Sequence, residues 1–67
     1  MQRWEYLVLE VEQDHPRLIN GQELRGWDAL KLYALLNQLG EEGWELVGTQ
    51  STPSYTFAKL IFKRPRA

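Results

Sequence analysis

The sequence predicts an α+β fold: a three-stranded antiparallel main sheet with one helix packed on one face. The order is strand, small β-hairpin, helix, strand, strand. Three observations carry this. Residues 3–12 alternate and are rich in aromatic and β-branched side chains. Residues 27–39 place apolar side chains at helical spacing. Two further strand-like runs flank a turn-forming stretch at 51–54. One amphipathic helix on an antiparallel sheet is the economical way to bury all of these.

Arg3–Glu12 reads as the first long strand, and Gln13-Asp14-His15-Pro16 ends it, since proline cannot donate to a ladder. Arg17–Leu24 contains Asn20-Gly21. That pair suits a two-residue turn with both central residues at positive φ. The flanks are short, so a small hairpin or tight loop is expected, either joining the main sheet or folding over one face. Arg25-Gly26 breaks the chain. Trp27–Leu39 then forms the helix, capped by Asp28 or a neighbour. Ala29, Leu32, Tyr33, Leu36 and Leu39 share one side of it, and Lys31, Ala34 and Gln38 lie opposite. Gly40 is expected to stop the helix. Trp44–Gln50 is the second long strand and Tyr55–Lys63 the third, with Pro65 ending it. The last strand is expected in the middle, between the other two.

Composition narrows function by exclusion. The chain has 67 residues, 8 Lys+Arg, 9 Asp+Glu and a single His, and it lacks cysteine. Length allows a single domain, 1–67. Disulfides, thiolate metal sites and a Cys nucleophile are impossible, and one His cannot build a His-rich metal site. No metal or cofactor is expected. A net charge of −1 does not suit a surface built throughout for nucleic acid. No apolar run approaches the roughly 18–20 residues that span a bilayer. No basic-then-apolar leader is seen either, so a soluble, cytoplasmic protein is expected. Below roughly 70–80 residues a single core supplies only a few kcal/mol, which makes self-association a natural way to gain stability.

Trp4-Glu5-Tyr6, then Leu36-Asn37-Gln38-Leu39-Gly40-Glu41-Glu42-Gly43-Trp44-Glu45-Leu46-Val47, then Phe62-Lys63-Arg64-Pro65 together resemble a small bacterial and phage family, domain-of-unknown-function family 4177. The pattern runs in order through nearly the whole chain, and its central block is the specific part. Asn20–Leu24 looks like an insertion found in one branch. The resemblance implies a compact strand–helix–hairpin fold. It implies no activity, and no catalytic residue carries over.

Candidate chemistry is sparse. Glu41 and Glu42 could be an acid/base pair, but adjacent turn residues diverge and no nucleophile is near in sequence. The bland reading makes this stretch a helix stop and turn. Asp14-His15 could mimic half of a triad, yet Ser51 and Ser54 are distant and no Gly-x-Ser-x-Gly elbow exists. No glycine-rich phosphate loop precedes the helix. No catalytic residue is therefore assigned.

The sheet faces are more informative. Trp4, Tyr6 and Val8, with Trp44 and Leu46 and with Ala58, Leu60 and Phe62, are expected beneath the helix. The opposite face would carry Leu7, Leu9, Val11, Val47, Phe57, Lys59 and Ile61, with charges of both signs. Contiguous apolar surface rimmed by charge marks an interface. These seven residues are the expected protein interface. Its partner would be a second copy of the chain or another protein. The alternative is a small nucleic-acid-binding or transcription-modulating protein that uses Lys63, Arg64 and Arg66 of the basic C-terminal strand and tail.

Overall fold

The structure is a computed structural model that describes residues 1–26, 30–51 and 57–67. Its elements are β1 (Arg3–Glu12), β2 (His15–Ile19), β3 (Gln22–Glu23), α1 (Leu32–Glu41), β4 (Glu45–Ser51) and β5 (Phe57–Arg66). The fold is α+β, and the strands form one antiparallel sheet in the order β3-β2-β1-β5-β4. The sheet therefore has five strands rather than three. The last strand does lie between the first and β4.

Two consecutive two-residue turns add the extra strands. Gln13 and Asp14 have φ of 47° and 67°, and Asn20 and Gly21 have 50° and 82°. Left-handed conformation at both central residues lets a two-residue turn follow the strand twist. The small hairpin thus extends the main sheet beside β1 and does not fold over a face. Asn20 ties it down. The Asn20 backbone N–H donates to the Val8 carbonyl at 2.9 Å, and the Val8 N–H donates to Asn20 Oδ1 at 2.9 Å. A side-chain amide continues the ladder where β2 has ended.

Proline does not end β1 as expected. Pro16 lies inside β2, opposite Val11 and fully buried, where the β1–β2 register shifts and Arg17 is the extra residue. A bulge is one of the few places where a strand tolerates proline. Pro65 also lies within its strand, opposite Trp4. The β4 ladder stops at Glu45–Lys63, so this part of β5 has a ladder partner on one side only.

The helix is shorter and displaced relative to expectation. Lys31 is its N-cap, without a side-chain cap, and it ends at Glu41 with Glu42 as C-cap. Asp28 lies outside the described residues, as do the expected turn residues Thr52-Pro53-Ser54. The glycine that stops the helix is Gly43, at φ 91°, rather than Gly40. The Trp44 N–H donates to the Leu39 carbonyl at 2.9 Å, and the Gly43 N–H to the Gly40 carbonyl at 3.0 Å. This pair of bonds is a Schellman motif, which satisfies helix carbonyls that otherwise lack donors. Trp44 then packs on the core that contains Leu39, the apolar contact that accompanies such a cap.

Leu32, Leu35, Leu36 and Leu39 form the helical stripe on the sheet. Tyr33 is 68% exposed and does not belong to it, contrary to expectation. Beneath lie Leu7, Leu9, Val11 and Phe62, all buried, with Leu9 at 0% exposure. Ile19, Leu24, Trp44 and Leu60 complete the packing.

This corrects the sequence-based assignment of β1. Leu7, Leu9 and Val11 lie on the helix-covered face, and Trp4, Tyr6 and Val8 lie on the open one. The β5 phase is as expected: Leu7 opposes Phe62, Leu9 opposes Leu60 and Val11 opposes Ala58, so all six share one face. The physical reason is charge. Trp4, Tyr6 and Val8 alternate in phase with Glu10 and Glu12. Putting that set under the helix would strand two carboxylates in an apolar layer, whereas Glu5, on the covered side, lies toward the end of its strand and is paired with Arg64.

Candidate functional site

The open face of the sheet is built by register. On β1 it carries Trp4, Tyr6, Val8, Glu10 and Glu12. Their partners on β5 are Pro65, Lys63, Ile61, Lys59 and Phe57. Leu18 of β2 stands beside Glu10, and on the far side Glu45, Gly48 and Gln50 of β4 stand beside Lys63, Ile61 and Lys59. Cross-strand partners point to the same side of a sheet. Val8 and Ile61 form an apolar centre. Tyr6 is 60% exposed and Phe57 51% exposed, and Trp4 is also exposed. The Lys63 ammonium sits over the Trp4 ring, 4.2 Å from its centroid.

Of the seven residues expected at an interface, Phe57, Lys59 and Ile61 occupy this open face. Val47 is the extra residue of a bulge in β4, between Leu46 and Gly48, and is exposed on that edge strand. The bulge shifts the phase of the strand, so Thr49 joins Leu60 on the covered side instead of staying with Glu45. Leu7, Leu9 and Val11 are core and unavailable to a partner. The residues missed were Trp4, Tyr6, Val8 and Leu18. The signal that could have found the first three is the parity they share with Glu10 and Glu12.

The basic C-terminal residues separate. Lys63 points to the open face. Arg64 turns to the covered side, where it pairs with Glu5, donates to the Glu42 carbonyl at 2.9 Å and stacks over Trp44 at 4.2 Å. A cation at the helix C-terminus also complements its dipole. Arg64 is thus engaged in holding the corner where β1, β5 and the end of α1 meet. Arg66 is exposed, opposite Arg3.

A hollow of about 340 Å³ indents one end of the open face, lined by Glu10, Leu18, Gln50, Phe57 and Lys59, with Glu12 and Arg17 paired at its edge. A second, of about 440 Å³, lies between Asp14-His15 and the start of the helix, with Tyr33 and Leu36 in its wall. His15 belongs to β2, opposite Glu12. Ser51 ends β4, so β1 and β5 separate the two. Three strand spacings place their backbones about 14 Å apart. They form no nucleophile–base pair. Ser54 lies outside the described residues. Glu41 and Glu42 are exposed at the helix end. Among the described residues no three His, Cys, Asp or Glu side chains are grouped to hold a metal ion, and no helix is long and apolar enough to cross a membrane.

No family model, no curated protein and no solved structure matches the chain. Glu5, Gly43, Trp44 and Arg64 meet at one corner, as cap, ring and ion pair.

Proposed function

We propose that the chain is a small non-enzymatic interaction module that associates with a second copy of itself through the open face of its sheet. The observation that supports this is the unequal covering of the two faces. The helix covers one, while the other leaves Trp4, Tyr6 and Phe57 exposed around Val8 and Ile61. The molecule measures 39 × 25 × 19 Å. Its broad side is large enough for the about 800 Å² per partner that a standard interface buries. Apolar burial would drive association, and charges of both signs would set its register.

The nucleic-acid alternative has less support. Arg64 already has its partners, and Glu10, Glu12 and Glu45 interleave with Lys59 and Lys63 on the same face. A polyanion would meet repulsion there.

The test is the solution mass of the Ile61→Glu variant, read by light scattering during gel filtration, with helix content checked by circular dichroism. A loss of the dimer with the helix intact is expected. An unchanged dimer would sink this reading. Salt-sensitive retention of single-stranded RNA by a monomeric wild-type chain would replace it with the nucleic-acid one.

A further inference from the structure

We infer that the two copies stack with their two-fold axis along the strands, between β1 and β5, so that Glu10 of each chain faces Lys59 of the other. This rests on self-association through the open face and adds its geometry.

The charges on the open face select among the possible axes. Two sheets meeting face to face by a two-fold must have the axis in the plane between them. Sheets commonly pack with strands within about 30° of alignment, so the axis runs along the strands or across them. Along the strands, three positions matter. Centred over β1, the axis sets Glu10 against its own copy. Centred over β5, it sets Lys59 against Lys59 and Lys63 against Lys63. Centred between them, it lays each β1 residue over the β5 residue of the same row, because the β1–β5 register pairs them within the chain. Val8 then covers Ile61, Tyr6 covers Lys63, Trp4 covers Pro65 and Glu10 covers Lys59. Each charge at the Glu10–Lys59 row meets the opposite charge both beside it and across the interface.

An axis across the strands does the reverse. It exchanges the rows on either side of Val8–Ile61, bringing Lys59 over Lys63 and Tyr6 over Glu10. Opposed ammonium groups in a dewetting interface repel strongly. Only the axis between β1 and β5 joins the apolar centre to complementary charge.

Charge exchange tests this. Glu10→Lys makes the row wholly positive, and Lys59→Glu makes it wholly negative. Each variant alone is expected to self-associate about tenfold or more weakly than wild type. An equimolar mixture should recover a heterodimer, since every row contact between the two chains is then of opposite charge. Light scattering and native mass spectrometry read both. A Lys59→Glu variant that self-associates more tightly would point to the axis across the strands and overturn the inference. So would variants that dimerise like wild type while Ile61→Glu does not dimerise, and that result would leave the face itself supported. A wild-type chain that stays monomeric at every concentration would remove both.

Discussion

The two faces of this sheet are made from the same strands and much the same apolar content, yet they have different fates. The covered face carries Leu7, Leu9 and Val11 on β1 and Ala58, Leu60 and Phe62 on β5. These side chains are aliphatic or aromatic without polar tips; with α1 packed on this side Leu7, Leu9, Val11 and Phe62 are buried, while Leu46 at the β4 edge stays 49% exposed. The open face carries Trp4, Tyr6 and Val8, followed by Glu10 and Glu12, with Lys59 and Lys63 alongside. Aromatic mass does not decide which face becomes the core. The charges that share a face with it do. Trp and Tyr have polar tips and tolerate partial wetting, whereas a carboxylate beneath a leucine-lined helix does not.

Substitutions should separate the faces by size of effect. The largest difference is expected between Leu9→Ala and Tyr6→Ala. Leu9 is fully buried, and truncation there should cost about 2–5 kcal/mol of stability in urea unfolding. Tyr6→Ala should change the stability of the dilute, monomeric chain by only about 0.5 kcal/mol. Equal losses at both would mean that the open face is packed within the chain.

A second contrast lies at the helix end. Gly43 has φ 91°, and an alanine there should cost about 1–2 kcal/mol in thermal unfolding. Gly40→Ala, inside the helix with no neighbour within 4 Å of a new methyl, should stabilise by up to about 1 kcal/mol. If both substitutions behave alike, Gly43 is not the residue that closes the Schellman motif.

The fold was legible in the sequence where local chemistry is decisive. The Asn20-Gly21 turn, the strand phase of β5 and the existence of a single helix all follow from residue type and spacing. The phase of β1 was not, because both of its faces alternate large apolar residues and the tryptophan invited burial. The β4 bulge at Val47 leaves no mark in periodicity, so the change of phase between Leu46 and Gly48 shows only in the ladder. The turn at Gln13-Asp14 lacks glycine and was masked by the nearby proline, which hid the way β2 joins the sheet. At the candidate site, Phe57, Lys59 and Ile61 were readable from β5 alone. Trp4 and Tyr6 are readable only when their parity is followed to Glu10 and Glu12 at the far end of the strand.

Smaller effects are expected at the β2–β3 turn and at the corner held by Arg64. Asn20→Ala removes the acceptor for the Val8 N–H and should cost about 1 kcal/mol, seen as faster amide exchange at Val8. Arg64→Ala removes the Glu5 pair, the Trp44 stacking and the bond to the Glu42 carbonyl. These groups are partly exposed, so about 1 kcal/mol is expected in thermal unfolding. Lys63→Ala, on the open side, should leave monomer stability nearly unchanged.

The most direct test is a heteronuclear NMR dilution series of the wild-type chain. If the open face pairs with a second copy, resonances of Tyr6, Val8, Lys59 and Ile61 shift together with concentration, while those of Leu32–Leu39 on the helix stay fixed. Concentration-dependent shifts confined to α1 or to the β4 edge, or none at all, would contradict it.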